Sequence, residues 1–104
     1  MATALGKYKA MVYRAVGSRW YPKVDQYFGT LGVGMVRVQY TIYSDGTVST
    51  KVLDGGNSTM QMLLSISRNS ITEAAPFKQF TPALLKELGT NSYTDDFTFS
   101  VYGQ

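Results

Sequence analysis

The segment Met35–Asp54 constrains this chain more than any other, because its alternation fixes two strands and the turn between them. Val36, Val38, Tyr40 and Ile42 alternate with Arg37, Gln39, Thr41 and Tyr43, the period of a strand with one dry and one wet face. After Ser44-Asp45-Gly46 the alternation resumes, with Val48 and Val52 apolar and Ser49 and Lys51 polar. Directly opposed residues of a hairpin share a face, so Ile42 is expected opposite Val48, Tyr40 opposite Thr50 and Val38 opposite Val52. That register needs a three-residue loop, Ser44 to Gly46; a two-residue loop would set Ile42 against Ser49 and mix the faces. A type I turn closing on a bulge, with Gly46 left-handed, fits such a loop. The dry face then needs a cover.

Helical patterns on either side of the hairpin supply it. Tyr8, Val12, Val16 and Trp20 recur at every fourth residue, with Met11 and Ala15 beside them. This predicts an amphipathic helix of roughly four turns, stopped by Pro22, with Trp20 as a core anchor and residues 23–34 as a glycine-containing loop. Beyond the hairpin, Ser58 and Gln61 read as a capping box opening a second helix over about 59–74. Its inner stripe is Met60, Leu63, Leu64, Ser67, Ile71 and Ala74. Met62 and Ile66 lie off that stripe; they either pack against the first helix or form an exposed apolar patch for a partner. Ala75-Pro76-Phe77 breaks the helix, with Phe77 and Phe80 turned to the core. Thr81 and Pro82 then start a short helix that Gly89 ends. The closing element, Tyr93 to Tyr102, alternates Phe97, Phe99 and Val101 with Asp96, Thr98, Ser100 and Tyr102, which is a third half-buried strand.

The second helix returns the chain to the end where strand two began, so strand three runs antiparallel to strand one. Antiparallel pairing is the commoner choice, and the expected sheet order is 2-1-3. The fold class is α+β: a two-layer sandwich, with two main helices on the face holding Val36, Val38, Tyr40, Phe97 and Phe99. At 104 residues, 44% apolar and 16% charged, the chain is expected to be one domain with a full core, cut from a longer chain or cytosolic as it stands.

The composition closes off most chemistry. With no Cys and no His, the chain has no disulfide, thiolate nucleophile, histidine base or usual zinc site. Asp95 and Asp96 are adjacent on a strand and point to opposite faces, so they cannot share a proton or a metal. Gly32 and Gly34 lack the third glycine of a phosphate loop. We therefore expect no catalytic residues, no metal site and no cofactor. The net charge of +3 comes from scattered basic residues, which gives nucleic acid little support as a partner. No apolar run approaches the ~20 residues that span a bilayer, and Lys7, Lys9 and Arg14 interrupt any signal-peptide core.

What stands out is an edge. The third strand exposes one row of backbone donors and acceptors, and Thr98, Ser100 and Tyr102 carry no charge to blunt it. The expected partner-binding residues are Tyr93, Asp96, Thr98, Ser100 and Tyr102, with secondary contacts at Tyr21, Pro22, Met62 and Ile66. Two alternatives belong to other classes. Tyr43 and Tyr102, with Arg37 and Lys51, could form a stacking face for single-stranded nucleic acid. A self-associating module, structural or secretory, could hide the edge in a homodimer.

The ordered set of segments resembles the C-terminal domain family of TonB and TolA, the envelope energy transducers of diderm bacteria. Trp20-Tyr21-Pro22 is similar to the family's helix exit, and Val36 to Val48 to its strand, Asp-Gly turn and second strand. Ile71-Thr72-Glu73-Ala74-Ala75-Pro76-Phe77, with Pro82 and Leu85, is similar to its Ala-x-Pro-Phe connection, and Asp96-Phe97-Thr98-Phe99 to its closing strand. The chain departs from the pattern at Ser18-Arg19-Trp20 and at Asp54-Gly55-Gly56-Asn57. The resemblance implies a non-enzymatic periplasmic domain whose parent is anchored in the inner membrane. It implies an outer-membrane or periplasmic partner, whose peptide adds as a strand beside residues 93–102 in the TonB branch.

Overall fold

A computed structural model describes residues 3–102. In chain order the elements are α1 (Ala4–Tyr27), β1 (Gly34–Tyr43), β2 (Val48–Asp54), a single 3-10 turn (Ser58–Met60), α2 (Gln61–Ala74), α3 (Pro82–Leu88) and β3 (Ser92–Val101). The three strands form one antiparallel sheet in the order β2-β1-β3, as the chain path requires. Ile42 pairs with Val48, Tyr40 with Thr50 and Val38 with Val52. Gly46 has φ 92°, and its N–H donates to the Tyr43 carbonyl at 2.8 Å, so the loop is the expected three-residue one. Asp45 braces it by accepting from the Thr47 amide and hydroxyl at 3.0 and 2.7 Å, which holds its carboxyl below the usual range.

The dry face consists of Val36, Val38, Tyr40 and Ile42 from β1 and Tyr93, Phe97, Phe99 and Val101 from β3, all buried. α2 packs against β1 and β2, and α1 packs on α2 and runs beside β3. Trp20 is the anchor it was expected to be. Its indole N–H donates to Ser67 Oγ at 3.1 Å inside the core, which explains a fully buried serine in the α2 stripe. Phe77 and Phe80 are buried too, and Phe80 meets Tyr8 edge-on at 5.2 Å. α3 has the expected Thr81 cap and left-handed Gly89. Its Glu87 carboxylate accepts from the Ala4 and Leu5 amides at 3.0 Å each, joining α3 to the start of α1.

Three local expectations are corrected. α1 does not stop at Pro22 but continues to Tyr27, so residues 23–27 are helix rather than loop. The every-fourth-residue stripe continues to Val24, which is buried, and Lys23 pairs with Glu73 of α2 at 2.8 Å. These gains outweigh the lost proline hydrogen bond. Pro22→Ala is accordingly expected to raise the unfolding free energy measured by urea titration, by up to the ~3 kcal/mol that an interior proline costs a helix. The capping box does not form; Asn57, not Ser58, accepts from the Thr59 amide at 2.9 Å. A short 3-10 turn then places Met60 in the core before α2 begins. Finally, Ile66 is only 7% exposed and Ser70 is buried, whereas Leu64 and Ala74 are partly buried, so the inner face of α2 is rotated from the predicted stripe.

Candidate functional site

The phase of the edge follows from two hydrogen bonds. Tyr43 N–H donates to the Thr47 carbonyl at 2.9 Å, so the odd residues of β1 near the turn address β2. Ser44 N–H donates to the Asn91 carbonyl at 2.8 Å, so the even residues address β3. With the register running from Ile42↔Tyr93 to Gly34↔Val101, the odd residues of β3 bond to β1. The even residues, Thr94, Asp96, Thr98 and Ser100, turn their amides away from the sheet.

Not all of that row is open. Asp96 N–H donates to its neighbour's Asp95 Oδ1 at 2.8 Å, and the Asp96 carboxylate holds Arg37 at 2.9 Å on the solvated face. Asp95, on the helix face, accepts from the Tyr93 hydroxyl at 2.6 Å and lies 3.4 Å from Lys9 Nζ. Burial pushes the Asp95 carboxyl up, but the Tyr93 hydroxyl, the Asp96 amide and Lys9 together hold it below the ordinary range. Tyr93 is itself buried, with its amide facing β1. Of the five edge residues expected from sequence, Tyr93 and Asp96 are therefore engaged within the chain. Thr98, Ser100 and Tyr102 remain, and Tyr102 is 78% exposed.

A groove of about 300 Å³ borders this same stretch. Phe97, Thr98, Phe99, Ser100 and Tyr102 form one side; Tyr13, Val16, Gly17, Trp20 and Tyr21 of α1 form the other. An apolar shoulder continues from it over Ala10, Arg14, Ser18 and Pro22. Tyr21 lines the groove beside the edge, whereas Pro22 lies on the shoulder, away from β3. Met62 is exposed on α2, outside the lining of this groove. Ile66 is corrected as a contact, because its side chain is in the core. Tyr13, two-thirds exposed and edge-on to Phe97 at 5.0 Å, was missed. The signal was present in the sequence: Tyr13, Gly17 and Tyr21 repeat at spacing four, one residue on from the buried stripe.

The stacking face does not assemble. Tyr43 pairs with Ser92, whereas Tyr102 lies ten residues further along that strand, about 33 Å away at strand rise. Arg37 is tied to Asp96, and Lys51 is on the opposite edge strand. Among the described residues no three acidic side chains gather as a metal site requires, and no helix is long and apolar enough to cross a membrane.

Burial raises the Tyr8 and Tyr40 hydroxyls to about 12 and the Tyr93 hydroxyl further, with Asp95 adding to the last. A phenol raised in the folded state favours folding below its unfolded value of 10.0 and loses that contribution as pH climbs through about 12. Alkaline unfolding followed by circular dichroism is expected to set in across that window.

No protein-family model matches the chain, and no curated protein matches it. Among solved structures the architecture is similar to that of a TonB C-terminal domain. The match is the NMR solution structure of that domain from Helicobacter pylori, residues 179–285 of its parent. The TM-score is 0.62 at 22% identity, over 95% of this chain and 83% of that one. The likeness establishes a TonB-C-terminal-domain-like fold, in agreement with the resemblance read from the sequence segments.

Proposed function

We propose that this chain is a non-enzymatic protein-interaction domain of a TonB-like envelope transducer, which accepts an extended segment of a partner as a fourth strand along β3. The observation that carries the reading is the coincidence of the open amides at Thr98 and Ser100 with the aromatic groove beside them. Backbone bonds supply attraction at such an edge, and side-chain pockets supply selectivity. The other edge is less suited, because β2 is shorter and its pairing with β1 is interrupted by a bulge at Arg37/Val38. Fold likeness and motif resemblance together support a periplasmic location, a membrane-anchored parent chain and an outer-membrane or periplasmic protein as partner.

A photo-crosslinking residue placed at Thr98, and in a separate variant at Lys51, tests the reading in cells that make the protein. Adducts from position 98 and none from 51 are expected. Adducts from 51 alone would put the partner on the other edge. An adduct from 98 with the mass of a second copy of this chain would instead favour the homodimer.

A further inference from the structure

Gly17 has no role that its own fold explains. It sits inside α1 with ordinary helical φ, where glycine is among the poorest helix formers. A Cβ there would meet only the Tyr21 ring, at 3.5 Å, which is normal contact. By contrast, a Cβ at Gly34 or Gly56 would run into the Met60 side chain, and Gly56 also holds a positive φ, so the fold gives both glycines a reason. What Gly17 does provide is space in the wall of the groove.

The position of that space follows from matching two rises. Lys9 meets Asp95 at 3.4 Å, and Tyr13 meets Phe97 at a ring separation of 5.0 Å. Four helical residues advance about 6 Å and two strand residues about 6.7 Å, so α1 and β3 stay in step. The next step sets Gly17 beside Phe99, and the one after sets Tyr21 beside Val101. Trp20, which packs on Phe99 at 5.4 Å, agrees with this placement. The gap is thus walled by Tyr13 and Tyr21, with Phe99 and Trp20 at its base.

We propose that this gap is a specificity socket: the partner is an acidic extended segment that seats one large apolar side chain, aromatic by preference, over Gly17. The inference rests on strand addition along β3. A strand bonded to Thr98 and Ser100 carries the residue opposite Phe99 on the helix side, in a non-hydrogen-bonded pair where side chains approach closest. Its neighbours two residues away face Tyr13 and Tyr21 and must be small. The aromatic preference comes from rings on every wall. The acidic preference comes from charge: no carboxylate lines the groove or its shoulder, and among the described residues Arg14 on that shoulder meets none.

Selection of short random peptides displayed on phage against the intact domain tests this, with the binders then measured on variants. Selected peptides are expected to be acidic, with one large apolar residue flanked two positions away on each side by small ones. Gly17→Leu should weaken them about 30-fold or more, the loss expected of a displaced anchor, while raising the thermal midpoint. Gly17→Ala should weaken them by only a few-fold. Peptides lost on Thr98→Pro but indifferent to Gly17→Leu would leave strand addition standing and remove the socket. Peptides indifferent to both, or no binders at all, would overturn both readings.

Discussion

Proline at Thr98 is expected to weaken binding of an added strand strongly while leaving the domain folded. The Thr98 amide faces away from β1, so removing it breaks no bond within the sheet, and proline is tolerated on edge strands for that reason. The ring would leave one carbonyl of the incoming strand without a donor and would block close approach. At about 1–3 kcal/mol for an unsatisfied group, plus about 1 for the lost bond, affinity should fall roughly 30-fold to several hundred-fold. Ser100→Pro should behave alike. Thr98→Ala keeps the amide and should bind nearly as the parent does. Proline one residue earlier would delete the bond from Phe97 to β1 and empty an aromatic site, which should unfold the protein. Isothermal titration of the selected peptides, paired with urea unfolding of each variant, separates the two effects.

The second large effect is expected at Gly46→Ala. Gly46 holds φ 92°, where alanine costs about 1–2 kcal/mol. Its Cβ would also fall on the Phe77 backbone carbonyl, inside contact distance. That contact cannot be relieved locally, because the turn is pinned to the segment below it. Phe77 N–H donates to the Gly46 carbonyl at 2.8 Å and Phe80 N–H to the Ser44 carbonyl at 3.0 Å. Losing those two bonds at about 1 kcal/mol each brings the expected cost to about 3–4 kcal/mol, a large part of a typical 5–15 kcal/mol stability. For a domain of this size the thermal midpoint should drop by more than about 12 °C. Gly55→Ala is the control. Its Cβ would meet Leu64 and Val52 at 3.5 and 3.6 Å, so a change of well under 1 kcal/mol is expected.

The hairpin could be read because strand alternation and turn length allow only one register that keeps Val38, Tyr40, Ile42 and their partners on a single face. Sheet order was legible for a similar reason, since it follows from where each connection leaves the chain. Pro22 misled because a local breaker competes with tertiary burial: Val24, two residues on, is buried in the core and Lys23, the next residue, reaches Glu73 of α2, contacts that a propensity argument does not weigh. The Ser58 cap failed because Asn57, one residue earlier, is at least as good an acceptor and also allows Met60 to turn inward.

At the candidate site, the edge was visible in the composition of β3, but the part of it left unblocked was not. The shielding of Asp96 depends on the side-chain conformation of Asp95, which no pattern encodes. The groove depends on α1 keeping step with β3, a relation between elements far apart in sequence. Tyr13, Gly17 and Tyr21 read as an ordinary exposed flank until that relation places them beside Phe97 and Phe99.

Amide hydrogen exchange of β3, resolved residue by residue by NMR, tests the central claim most directly. In the isolated domain at low concentration, Phe97, Phe99 and Val101 should be strongly protected, whereas Thr98 and Ser100 should exchange rapidly. On saturation with a selected peptide, Thr98 and Ser100 should slow together. Protection of those two amides before any peptide is added, or continued rapid exchange in the complex, would contradict the account.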